Sequence, residues 1–455
     1  MTDTSRHTDD SLTAIRGELV GFRGDPGSSD RDDCPMLHHH RDGVVLLRGR
    51  KILEVGDAER LIPQLDSACT VVDRRGCLVM PGFIDLHVHY PQLDVIASPG
   101  RNLLDWLDRY TFPAERRFAD PDYARRAAED FLDELLTHGT TSALVFGTVH
   151  RQSVDAFFAA AQARRMRMIA GKVMMDRNCP EDLRDTPERG ARETVELIER
   201  WQGVDRLGYA ITPRFAITSS PDQLSVAGEL ARRYPDTWVH SHVAENKEEV
   251  DWVMKLFPAA RSYLDVYEQS GLLRERSVWA HCLWLDREDR LRLAARGGVA
   301  AFCPSSNLFL GSGLFDLAAA DHAEMRFGVA TDVGGGSSFS MLRTLSEAWK
   351  VAQLQGQYLS PLRAFYLATR GGATALGLDH RIGSLEAGLE ADLVILDPAA
   401  TALAERRDRA GRSLAERLFV LMMLGDDRSI IETWVDGRRW AGRCPQAARP
   451  SHSPR

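Results

Sequence analysis

The segment PGFIDLHVH (81–89) ends an apolar run with two histidines two residues apart, His87 and His89. Residues two apart in an extended strand share a face, so both imidazoles project together. Paired neutral ring nitrogens are the start of a site for zinc and its neighbours. The same spacing recurs in WVHSHVAEN, at His240 and His242, and single candidates follow in WAHC (His281) and ATDVGGG (Asp332). Three imidazoles and a carboxylate, with room for water, make the donor set of a catalytic metal. Spacing does not choose between His240 and His242, which also share a face.

These residues act together only if a fold gathers them. From about residue 77, apolar runs alternate with amphipathic helical patterns: CLVMPGFID, SALVF, RMIAGKVMM, LGYAITPRF, WVHSHVA, SVWAHC, GVAAFCP and GVATD. Helices such as PDYARRAAEDFLDELLTHG and PDQLSVAGELARRY start at proline, the residue preferred in a first turn. Eight such units over some three hundred residues have the size and rhythm of a (β/α)8 TIM barrel. Barrel active sites lie at the carboxyl ends of the strands, where His87, His89, His240, His242, His281 and Asp332 all fall.

Outside the barrel, GVVLL and KILEV flank a short turn and read as a hairpin, while ADLVILD and IIETWVDGRRW read as strands near the other end. Paired, they make one small β domain from residues 1–80 and 385–455, enclosing a barrel over 81–384. The polar stretch RGDPGSSDRDDCPMLHHHRD, with His38, His39 and His40, reads as an exposed loop. The apolar LFVLMMLG reads as a core helix or a dimer contact, and a homodimer is expected.

Composition narrows the partners. A net charge of −8 without a basic stripe argues against nucleic acid. No apolar run is long enough to cross a membrane, and MTDTSRHTDD lacks the apolar core of a secretory signal. Seven cysteines without a CxxC pair suit a reducing compartment, so a cytoplasmic protein is expected.

PGFIDLHVH, SHVAEN, the lone histidine of WAHC and TDVGGG resemble segments of the amidohydrolase superfamily of metal-dependent hydrolases. LLDWLDRYTFPAERRF (103–118), TPRF (212–215), CPSSNLFLGSG (303–313), TDVGGGSSFSML and LGDDRSI (424–430) resemble its guanine deaminases, over residues 43 to 440 or so. The resemblance implies a distorted (β/α)8 barrel with a small β-sandwich domain built from both chain ends. It implies His87, His89, His242 and Asp332 as ligands of one Zn2+ per subunit, with His240 behind them and Lys172 structural. The implied reaction is hydrolytic deamination of guanine, a small-molecule substrate, to xanthine and ammonia.

In that reading Glu245, three residues after His242, shuttles protons to ring N3 and the leaving nitrogen. His281 stabilises the charge that develops, and Asp332 also orients the attacking water. Arg214 donates to the purine carbonyl, Phe215 stacks on the ring, and Gln92 reads an amide edge. Bland roles exist for each: a helix-capping acid, a surface ion pair, a core aromatic, a loop amide. DVGGGSS lacks the lysine and spacing of a phosphate loop and reads as close backbone approach to a flat ligand. The rival readings are a deaminase of a related aminopurine, pterin or triazine, and a metal-free scaffold.

Overall fold

The computed structural model describes residues 11–442. Eight parallel strands form the barrel: Phe83–His89, Thr140–Phe146, Arg167–Gly171, Gly208–Pro213, Trp238–Val243, Ser277–His281, Val299–Phe302 and Arg326–Val329. Their residues are buried almost throughout, as expected of parallel strands covered by helices on one face and packed on the other. Ile84, Leu86, Leu144, Ile169, Val278, Ala280 and Ala301 fill the interior.

Helices pack outside. Pro121–Thr137 starts with Asp120 accepting the Asp122 N–H, and Pro221–Arg233 starts with Ser220 accepting the Gln223 N–H, so each orphaned first turn is satisfied. The seam between the first and eighth strands is closed past the last regular pairs. Asp332 N–H donates to His87 O (2.9 Å), and His89 N–H donates to Val333 O (2.8 Å). Buried Asp85 adds to the seam by accepting the Thr331 N–H at 3.1 Å and the Thr331 hydroxyl. Burial raises the Asp85 carboxyl to about 6 despite those bonds.

A separate seven-stranded sheet joins both ends of the chain, in the order Arg438–Gly442, Ile430–Val435, Leu393–Leu396, Thr70–Pro81, Leu12–Phe22, Leu37–Arg48, Lys51–Asp57. The two halves meet where Leu393 pairs antiparallel with Pro81. Buried Glu390 rivets this sheet to the barrel, taking Arg167 at 2.6 Å and Arg206 at 2.7 Å.

Three sequence expectations change. Residues 77–81 of CLVMPGFID belong to the terminal sheet, and the barrel strand starts at Phe83. The third run breaks at Lys172 into Arg167–Gly171 and the short Val173–Met174, because Gly171 presses against the Ala210 carbonyl where no Cβ would fit. His38–His40 do not lie in a loop: they sit in Leu37–Arg48, paired with Leu19–Gly21 of the adjoining strand. Polar composition concealed the part-buried and exposed first half of a strand whose second half, 43–47, is fully buried. The apolar helix Leu414–Leu424 is spent mainly on the core, with Phe419 against Trp349 at 5.2 Å. No helix among the described residues is long and apolar enough to cross a membrane.

Candidate active site

The first strand does not keep a simple alternation. Ile84 and Leu86 face the barrel interior and Val88 faces the helices, so an unbroken period of two would turn His87 outward. A register shift between Asp85 and Val88 corrects this, and His87 joins His89 at the mouth. Their Nε2 atoms lie 3.1 Å apart. The fifth strand needs no bulge. His242 Nε2 reaches within 3.2 Å of His89 Nε2, and Asp332 Oδ1 lies 3.1 Å from His87 Nε2 and 3.4 Å from His89 Nε2.

His87, His89 and Asp332 bring donor atoms close enough for one metal ion, and His242 Nε2 stands beside that of His89. Ligand bonds of about 2.1 Å put neighbouring ligand atoms about 3.0–3.4 Å apart for angles between square and tetrahedral. Three imidazole nitrogens so close cannot each find a proton partner in the others. Burial favours the neutral form of two of the rings, the form a ligand takes: His89 is pushed down to about 3, and His242 lies well below its ordinary value. Burial alone would raise Asp332, but the imidazoles of His87 and His89 outweigh it and hold the carboxyl well below its ordinary range.

Behind these donors sits a second layer. His240 Nε2 is 2.7 Å from His87 Nδ1, and the His242 Nδ1–H donates to Arg214 O at 2.7 Å. Each contact engages Nδ1 and leaves Nε2 for the cluster. His240 is thus held away from the other donors. Lys172 is fully buried against Asp185, with Glu193 at 3.5 Å, and points into that ion pair.

The chain is bent hard where it presents these groups. Ala244, His281, Cys282 and Asp332 all have positive φ, between 50° and 73°, a cost that clusters at functional sites. The glycines after Asp332 explain how the turn is made: a Cβ on Gly336 would sit 1.8 Å from the Thr331 carbonyl. The run serves a turn too tight for side chains as well as an approach to the cavity, which Gly335 lines.

Glu245 follows the positive-φ Ala244 and is buried, with Oε2 3.3 Å from His281 Nε2 and Oε1 accepting from Ser312 at 3.1 Å. Burial and the negative charges of Glu249 and Asp332 push its carboxyl well above its ordinary value, as a proton carrier requires. Glu249 holds its backbone: Oε2 accepts the N–H of Glu245 (2.9 Å) and of Asn246 (3.0 Å), while Tyr263 donates to Oε1 (2.8 Å). It is also the reciprocal partner in the capping box of Lys247–Leu256. Among the acids of AENKEEV, the Asn-x-x-Glu spacing of Asn246 and Glu249 is the sequence signal that sets Glu249 apart. Asn307 Nδ2 lies 2.8 Å from His281 Nδ1 and orients that ring.

The cavity over the cluster, about 400 Å³ of empty space counting its opening to solvent, is lined by all of Gln92, Arg214, Phe215, Glu245, His281 and Asp332. Arg214 is buried rather than a surface pair, and both its bonds to Glu115, 2.8 and 2.9 Å, use Nη1, leaving the other edge for a ligand. Gln92 Oε1 accepts the Gly334 N–H at 3.1 Å, which fixes the side chain with its amide N–H donors free to read a ligand. Trp106, Leu103, Leu107 and Leu310 complete apolar walls that the sequence patterns did not identify.

Comparison with known proteins agrees with this architecture. Residues 78–440 match the amidohydrolase family. The chain is 50% identical to guanine deaminase of Escherichia coli over 94% of its length and 97% of that protein's. The solved E. coli guanine deaminase superposes with a TM-score of 0.92 at 49% identity, over 95% of this chain and all of the other. The guanine deaminase of C. acetobutylicum with bound guanine gives 0.85 at 26% identity, over 94% of this chain and all of the other.

Proposed function

The chain belongs to the amidohydrolase family, and from that premise we propose that it hydrolyses guanine to xanthine and ammonia at the barrel mouth. The observation that carries this is whole-length similarity, 50% identity across 94% of the chain, to a guanine deaminase. The metal of the proposal is zinc, one per subunit, held by His87, His89, His242 and Asp332. Bound there, it supplies the Lewis acidity that brings the pKa of water toward neutrality.

The chain's own groups do the rest. Guanine enters with its ring against Phe215, its carbonyl facing the free edge of Arg214, and the Gln92 amide donors on the purine edge. The apolar walls exclude bulk water and strengthen each of these bonds. Asp332 orients the attacking oxygen toward C2. Glu245 takes one proton from it and delivers that to N3, then takes the second from the hydroxyl now on C2 and delivers it to the exocyclic nitrogen, which departs as ammonia as the new carbonyl forms. The raised carboxyl of Glu245 suits both acceptance and donation. His281, fixed by Asn307, faces the oxygen that becomes the new carbonyl. Guanine and water in, xanthine and ammonia out, the atoms balance.

A cytoplasmic location and a homodimer complete the proposal; six cysteines among the described residues are free thiols, in keeping with a reducing compartment. Ammonia release is measured from guanine and from a panel of aminopurines, pterins and triazines, with and without chelator. Guanine-dependent release that chelation abolishes is expected. Release from a pterin with none from guanine overturns the proposal.

A further inference from the structure

We propose that His38 and His40 form a second metal site, on the terminal sheet, for a divalent first-row transition ion. The strand Leu37–Arg48 places both rings on one face, and their Nε2 atoms stand 3.1 Å apart with the rings at 70°. The His87–His89 pair shows the same spacing, the same 3.1 Å and rings at 87°. His40 donates its Nδ1–H to Asp57 Oδ1 at 2.8 Å, which leaves the Nε2 lone pair aimed at His38. A carboxylate behind a ligating imidazole raises its basicity and fixes its tautomer, the arrangement found behind metal-bound histidines. Without metal, the His38 Nε2–H donated to His40 Nε2 holds the pair; a cation takes its place and the proton shifts to His38 Nδ1, on the side of the Leu385 backbone.

Both rings are half-buried rather than sealed in. The strand Lys51–Asp57 pairs only with residues 43–48, so the stretch carrying the histidines has a hydrogen-bonded strand on one side alone. His39 points the other way, to Glu18 at 3.0 Å, with Arg417 on the same carboxylate. Arg23 and Glu386 both lie close enough for their charges to act on His38, with opposite sign, so the imidazoles carry the affinity. Two nitrogens fill two positions and water the rest. Nickel and copper, which bind imidazole more tightly than zinc does or nearly as tightly, are the best probes.

The zinc-loaded protein, freed of excess metal, is titrated with Ni2+, and bound nickel is counted after dialysis. Wild type is expected to take up one nickel per chain while keeping its zinc. His38→Gln and His40→Gln are each expected to weaken that uptake about tenfold or more, with turnover unchanged as a control on folding. Ni2+ raises the Tm of wild type and of neither variant, since binding to the folded state alone stabilises it. Nickel uptake that persists in both variants, or none in wild type, overturns the proposal. Neither result bears on the reaction at the barrel mouth.

Discussion

Two strands of this protein carry histidines two residues apart with Nε2 atoms 3.1 Å from each other, one at the barrel mouth and one on the terminal sheet. At the mouth, His242 and Asp332 arrive from other strands, the rings are buried, and buried His240 stands behind His87. On the sheet no further strand contributes a donor within the same reach among the described residues, and the group behind His40 is Asp57, with 70% of its side chain exposed. Spacing within one strand makes a pair; convergence of several strands, with water excluded, makes a reactive centre. The same two residues per turn of pleat thus yield different chemistry according to what the fold adds.

The comparison breaks most sharply on one pair of variants. His87→Gln should lose the catalytic metal and turnover together, while His38→Gln should keep both; metal analysis beside an ammonia assay decides. Equal loss in the two would mean that the sheet pair supports the mouth. Next in size, Glu245→Gln should retain stoichiometric metal and lose about 10²–10⁴-fold in turnover, the usual contribution of a general acid–base group. Near-normal turnover would remove Glu245 from the reaction.

The supporting layers give smaller effects. His240→Gln should weaken the catalytic metal about 10–100-fold without removing it at saturating zinc, and complete loss would make His240 itself a ligand. Asp57→Asn should weaken Ni2+ at the sheet by less, because an exposed carboxylate is screened. The smallest effect is on stability. The folded protein holds the Glu245 proton above 4.5, where the unfolded chain has lost it, so this group's contribution to stability falls as pH rises toward its folded value. In metal-stripped protein, Glu245→Gln should therefore melt higher than wild type by a margin that widens above pH 4.5. A margin that is flat or narrows contradicts the raised carboxyl.

Sequence patterns reveal the barrel because its strands are buried on both faces and read as apolar runs, with capped helices between. They gather the candidates at one mouth because strand ends are where barrels keep their chemistry, yet leave His240 and His242 undivided. What they miss is local. The bulge that turns His87 inward leaves no mark on composition, and a period of two would have predicted the wrong face. Glu249 is one acid among several, and only coordinates show its carboxylate on the Glu245 amide. The histidine-bearing half of its strand looks like a loop because residues 38–42 are polar and only part-buried or exposed, while the buried apolar run begins at 43.

The seam between the first and last barrel strands has a consequence for how the protein is made. Residues 87 and 89 emerge from the ribosome some 240 positions ahead of Asp332, yet the three share one cluster, and Asp332 and Val333 supply the bonds that shut the cylinder. A nascent or truncated chain that stops short of this turn has neither a closed wall nor a full set of donors. Cofactor capture is thereby deferred until synthesis has passed the eighth strand, and fragments of this polypeptide are born without the means to become hydrolases.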